Sequence, residues 1–261
     1  MVLRRLCFLV WVGSMPTLNA RPTIYFHVEE GASSLYESED SKLVADFMQG
    51  LNAVQDDFEF RYQVNPSRRF LVLFEENAVD AVFLLDEAWV AESLSKMHKS
   101  DFYMDLKNQL FTLKTPGISQ DYFADMTKMS KVGMFGYYYR LFDFKRDPAV
   151  LKRDYNAALV KKEIHMVRMV ESGRVQVGII GDLTVRYFAQ NGQIDPERLY
   201  FSEVPDAVYQ PRLFLKKGIA LTQAQLDGYV LEMKRQGILQ SIFGRYGILD
   251  NIRSWLEKAP N

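Results

Sequence analysis

Asp182 stands just after an apolar run, Val175 to Ile180 (VQVGII). A carboxylate there can accept a charge-assisted hydrogen bond from an ammonium, or it can cap the helix that follows. A second run, Val132 to Phe135, closes on Gly136 and leads into Tyr137, Tyr138 and Tyr139. Three consecutive side chains cannot all face one core, so at least one tyrosine is expected to turn outward, free to stack or to hydrogen-bond. Arg140 is the cation nearest this turn; its guanidinium either pairs with a carboxylate through two parallel bonds or is a solvated surface charge. A third run, Val79 to Leu85, precedes Asp86 and Trp89, while Glu29, Glu30 and Tyr36 lie after the first β-rich segment. A tryptophan after a parallel strand serves as a stacking platform or as a core residue.

These are groups for holding a polar molecule reversibly. Residues for making and breaking bonds are harder to place. His27, His98 and His165 are far apart and form no HExxH-like spacing, and Cys7 is the only cysteine. The sequence has no nucleophile elbow and no phosphate loop. Neither a metal nor a cofactor is expected. A general-base carboxylate leaves no local signature, so carboxylate-based chemistry stays open.

The totals narrow the class. With 48% hydrophobic and 25% charged residues, the 261-residue chain has the balance of a globular protein. Its length fits one large domain or two lobes of roughly 100 residues each. A formal net charge of −1 does not advertise the concentrated basic surface that nucleic acid requires, which leaves a small ligand or a protein partner. Residues 1–20 read as an export signal: Arg4 and Arg5 form a basic head, Leu6 to Val12 an apolar run and Ser14 to Ala20 a small and polar tail, with cleavage expected after Ala20. An uncleaved anchor is the alternative. The apolar run is far shorter than the ~20 residues of a bilayer-spanning helix. Cleavage would remove Cys7 and leave a periplasmic protein without thiols, suited to an oxidising compartment.

The candidate residues hang on a repeated pattern. Thr23 to Val28 reads as a strand, followed by apolar residues at helical spacing (Leu43, Val44, Phe47, Met48, Leu51) with Asp40 or Ser41 as N-cap. Phe58 to Val64 alternates as a strand, Pro66 and Ser67 open a short helix, and Val79 to Leu85 is nearly continuous apolar sequence, the texture of a strand covered on both faces. After Leu110 to Leu113, read as a crossing strand, the pattern restarts with Val132 to Phe135, a helix over 163–171 ended by Gly173, and Val175 to Ile180. Glu203 to Leu215, broken by Pro205 and Pro211, reads as a second crossing, and Thr222 caps a closing helix that ends at Gly237. Strand and helix in alternation imply an α/β protein with parallel-rich sheets.

Three ordered segments carry a resemblance: GLNAVQDDFEFRYQVNPSRRFLVLFEENAVDAVF; VGMFGYYY with MVESGRVQVGIIGDLTVRYF; and LTQAQLDGYVLEMKRQGILQSIFGRYGI. Together they resemble the extracellular solute-binding proteins of family 3, the periplasmic amino-acid-binding group. The resemblance implies the type II periplasmic-binding-protein fold: two lobes with two crossing strands as a hinge. Lobe 1 would comprise residues 21–110 plus 203–261, and lobe 2 residues 111–202. It further implies that Asp182 receives a ligand's amino group, and that the turn of Gly136, Tyr137 and Tyr138, with Arg140 beside it, receives a carboxylate. Glu30, Tyr36, Asp86 and Trp89 would form the lobe-1 wall, whose acidic bias points to an amine-bearing ligand. The family's lobe-1 carboxylate-binding arginine has no counterpart in Ser95 to Met104 (SKMHKSDFYM), and Tyr137 stands where a threonine is usual.

The expected function is capture of a small polar ligand, amino-acid-like or amine-bearing, by a monomer serving an inner-membrane ABC permease or a sensor, without chemistry of its own. The alternatives are a dehydratase-like enzyme on the same fold and a sensory or adaptor protein that binds no small molecule.

Overall fold

The computed structural model describes residues 21–29, 42–66, 69–87 and 91–260. The expected N-caps Asp40 and Ser41, and the proposed export segment, lie outside these residues. The fold is α/β and two-lobed, with two sheets flanked by helices. The first sheet takes β1 (Thr23–Glu29), β2 (Glu59–Asn65), β3 (Ala81–Leu85), β4 (Met97–Tyr103) and β11 (Arg212–Lys216), in the order β2-β1-β3-β11-β4. β1 runs parallel to β2 and β3, whereas β11 lies antiparallel between β3 and β4. The second sheet takes β5 (Leu106–Leu113), β6 (Lys131–Met134), β7 (Ala157–Val160), β8 (Val177–Gly181), β9 (Leu199–Phe201) and β10 (Ala207–Tyr209). Its order is β10-β5-β8-β6-β7, with β9 also pairing β5.

The apolar texture of β3 follows from its place in the sheet. Ala81 and Phe83 join the main core, while Val82 and Leu85 face a smaller cluster with Phe70, Phe74, Met97 and Phe214. Both faces are covered, so no alternation is possible. α1 (Leu43–Ala53) buries Leu43, Val44, Phe47, Met48 and Leu51, the helical stripe read from the sequence. α2 (Phe70–Glu75) covers the opposite face.

In the second half, α3 (Pro148–Tyr155), α4 (Glu163–Glu171) and α5 (Asp182–Gln190) flank the sheet. α4 ends as expected at Gly173, whose φ of +69° is the left-handed conformation that glycine adopts without a Cβ penalty. Gly178 on β8 lies opposite Phe111 on β5, and a Cβ there would come within 2.3 Å of the Phe111 ring. The phenyl therefore lies across the neighbouring strand where any larger residue would collide with it. The closing helices are α6 (Gln223–Arg235), α7 (Ile238–Arg245) and α8 (Arg253–Lys258). Thr222 caps α6 in a full capping box with Gln225.

The chain passes between the sheets twice. The outgoing passage is Met104–Asp105, between β4 and β5; the return is Gln210–Pro211, between β10 and β11. The first passage thus precedes Leu110 to Leu113, because the whole of Leu106–Leu113 is bonded into the second sheet through β8, β9 and β10. Among the described residues no helix is long and apolar enough to cross a membrane.

Candidate functional site

β6, β7 and β8 run parallel, so the Gly136 turn after β6 and Asp182 after β8 share the carboxyl edge of the second sheet. Asp86 follows β3 on the first sheet. Open parallel sheets offer loops and free N–H groups at this edge, the usual place for a ligand. The return passage joins the two edges. The backbone N–H of Gln210 donates to Asp86 Oδ2 at 3.0 Å, and the Tyr209 hydroxyl donates to the Tyr138 carbonyl at 3.4 Å. Tyr209 is buried, and its phenol is pushed up to about 12, first by burial and then by the negative charges of Asp206 and Asp86.

Asp182 does not cap α5. It is the first helical residue, where an acidic side chain suits the positive end of the helix dipole, and Gly181 precedes it. Its carboxylate turns to the outgoing passage and the C-terminal segment: Oδ1 accepts the Lys107 N–H at 3.0 Å and Oδ2 accepts from Asn251 Nδ2 at 3.1 Å. Asn251 is 3% exposed and also donates to the Asp105 carbonyl at 2.7 Å, while Gln210 Nε2 donates to Asp105 Oδ1 at 2.9 Å. A hydrogen-bonded chain therefore runs from Asp86 through Gln210, Asp105 and Asn251 to Asp182, crossing both passages.

Gly136 has φ +87°, which lets the chain leave β6 in a tight turn. The three tyrosines divide their tasks. Tyr139 is buried and its hydroxyl accepts the Met134 N–H at 3.1 Å; burial pushes its phenol far up. Tyr137 stacks on Tyr139 with centroids 6.1 Å apart. Tyr138 is half-buried beneath the Arg146 guanidinium, 5.1 Å from the ring centroid. Beyond them the backbone N–H groups of Arg140 and Leu141 donate to the two carboxylate oxygens of Asp206, at 2.9 and 2.7 Å. The Arg140 side chain itself is exposed. Burial raises the Asp206 carboxyl from its ordinary value, and the two amides pull the other way.

The structure thus ties Asp86 and Asp182 to the two passages, whereas the Tyr138 carbonyl meets Tyr209 at the end of β10 and the Arg140 amide meets Asp206 just before that strand. Glu30, Tyr36 and Trp89 lie outside the described residues. Asp206, Tyr209 and Asn251 were not singled out in the sequence; the one local signal for the first two is the pair Pro205 and Pro211, which marks the return passage as irregular, and Asn251 has none. Among the described residues no cluster of histidine and acidic side chains could hold a metal ion. What the arrangement supplies is carboxylates and tyrosine rings close to the two passages, with the Asp182 and Asp206 carboxylates already bonded within the chain.

The sequence matches no family model and no curated protein. Solved structures do match. A probable amino-acid ABC transporter extracellular-binding protein from Bacillus subtilis superimposes with a TM-score of 0.67 at 12% identity, covering 87% of this chain and 98% of its own. An ABC uptake transporter substrate-binding protein from Streptococcus pneumoniae with bound histidine gives a TM-score of 0.64 at 14% identity, over 86% and 92%. The fold is that of the amino-acid-binding solute receptors. The L-cystine solute receptor of Neisseria gonorrhoeae, in an unliganded open conformation, shares it with a TM-score of 0.57 at 15% identity, over 90% and 95%. The likeness spans nearly the full length of each neighbour.

Proposed function

We propose that this chain is a solute-binding protein that captures a small, polar, amine-bearing ligand between two lobes built on the two sheets. In this reading it works without chemistry of its own, in the periplasm after loss of residues 1–20, and serves an ABC-type permease or a sensor. The observation that carries the reading is the hydrogen-bonded chain that runs from Asp86 after β3 through Gln210, Asp105 and Asn251 to Asp182 after β8, linking the carboxyl edges of both sheets across the two passages. A ligand contacting both edges stabilises the closed arrangement by its differential affinity for it. The named ligands of the structural neighbours, histidine and cystine, are small amine-bearing solutes and agree with that chemistry.

A second reading, a sensory or adaptor protein without a small ligand, draws on a specific observation: partners from the chain itself already hold the carboxylates of Asp182 and Asp206. One experiment separates the two. A thermal-shift screen against amino acids, polyamines and small organic acids is expected to find a ligand that, at ~100 times its dissociation constant, stabilises the protein by about 2.7 kcal/mol. Asp86→Asn is expected to weaken that response. A flat melting temperature across the whole panel would favour the adaptor.

A further inference from the structure

Beside β4, the outer strand of the first sheet, α6 and α8 leave a hollow of about 320 Å³, a size within the range of small-molecule sites. Four charged side chains line it, Asp101 and Asp227, Arg212 and Lys258, with Tyr103 and Trp255 as aromatic walls. Two anions and two cations share this space, yet none of the four belongs to an ion pair with any described residue. The cations are held by other means. Arg212 lies 4.7 Å from the Tyr103 ring centroid and donates from Nη1 to the Ser100 and Asp101 carbonyls, both at 3.3 Å, while its Nε and Nη2 have no partner among the described residues. Lys258 lies 5.8 Å from the same centroid, and its ammonium donates to the Tyr103 hydroxyl at 3.2 Å. One ring thus gathers two positive charges that no described carboxylate neutralises.

The anions are brought together in the same way. Asp227 Oδ1 accepts from the Ser100 hydroxyl at 2.5 Å and from the Asp101 amide at 3.0 Å. Burial raises the Asp227 carboxyl from its ordinary value, those two bonds lower it, and the charge of Asp101 raises it again. No described residue donates to the Asp101 carboxylate. An ammonium set against the two carboxylates would relieve their repulsion, and a carboxylate brought to Tyr103 would meet the free edge of a guanidinium and an ammonium.

We propose that this hollow is a ligand site separate from the candidate site at the passages, and that it takes a small zwitterion: its ammonium at Asp101 and Asp227, its carboxylate at Arg212 and Lys258, and an apolar body against Leu231 and Trp255. None of these residues belongs to the hydrogen-bonded chain between Asp86 and Asp182, and the inference does not depend on the capture reading.

An NMR titration of the isotope-labelled protein tests this with three probes: phenylalanine, phenethylamine, which lacks the carboxylate, and 3-phenylpropionate, which lacks the ammonium. Phenylalanine is expected to give saturable shifts at the Asp101 and Tyr103 amides and the Trp255 indole N–H, with each single-charge analogue binding there at least tenfold more weakly. Asp101→Asn and Lys258→Met, both at exposed positions, are each expected to weaken phenylalanine at least fivefold at this site. Absence of these shifts, equal binding of either analogue, or unchanged affinity in both variants overturns the assignment. Shifts confined to Asp86 and Asp182 would likewise overturn it, while supporting capture at the passages.

Discussion

His27 on β1 and Lys131 on β6 are both shut away from solvent, at 0% and 3% exposure, and each lies within a parallel strand of its own sheet. Neither ring nitrogen of His27 has a hydrogen-bond partner among the described residues; its ring lies 5.1 Å from that of Phe70. Lys131 donates its ammonium to three carbonyls, those of Met129 at 2.9 Å, Tyr155 at 3.0 Å and Thr127 at 3.4 Å. The difference follows from what each group gives up to become neutral. An imidazole sheds its proton near neutral pH, and burial lowers its pKa to about 4, so the first sheet holds a neutral ring. An ammonium would cost far more to neutralise, so the second sheet surrounds it with carbonyl dipoles, although burial still lowers its pKa. The same holds for buried carboxylates: Asp182 and Asp206 in the candidate site and Glu163 at the start of α4 each accept a hydrogen bond, the last from the Thr184 hydroxyl at 2.8 Å.

The largest expected effect belongs to His27. Its folded-state pKa of about 4 lies below the ordinary 6.5, so the unfolded chain takes up the proton first as pH falls. Stability from this residue is complete above pH 6.5 and drains away between 6.5 and 4, a loss of roughly 3 kcal/mol. His27→Phe should flatten that part of the melting-temperature profile. A slope over this range identical in both proteins would remove His27 from the account and with it the contrast between the sheets.

Lys131→Met comes next. The thioether keeps most of the side-chain volume but leaves three carbonyls without their donor, so a loss of about 2 kcal/mol is expected in urea unfolding at neutral pH. A neutral or stabilising outcome would mean that the second sheet tolerates its buried charge rather than depends on it. The smallest effect is assigned to Asn251→Ala, which removes the donor to Asp182 and to the Asp105 carbonyl. A cost of about 1 kcal/mol is expected, with faster hydrogen exchange at the Lys107 amide. Unchanged exchange there would show that the chain from Asp86 to Asp182 is not cooperative.

Much of the fold was legible residue by residue. The unbroken apolar run of β3, the stripe on α1, Gly173 after α4 and the Thr222 cap of α6 all report local requirements: two covered faces, one buried face, a left-handed turn, an unsatisfied amide. The extent of β5 was not legible, since Leu106 to Gln109 (LKNQ) mixes polar with apolar residues and is strand only because β8 and β10 supply its hydrogen bonds. For the site, the sequence could place Asp182 after a strand and a glycine turn at Gly136. It could not show where the Asp182 carboxylate points.

Taken alone, the sequence determined an α/β chain with two strand-and-helix units, a small net charge and residues suited to holding a polar solute. Those properties come from composition and from periods of a few residues, which neighbours along the chain impose on one another. Only the tertiary structure decided that Asp206 would fill the turn at Arg140 and Leu141, that Asn251 would hold Asp182, and that the Tyr209 hydroxyl would reach the Tyr138 carbonyl. Each joins residues separated by about 60 positions or more. Such pairings leave no periodic trace, because their free energy depends on burial and on hydrogen-bond geometry that exist only once both sheets have formed.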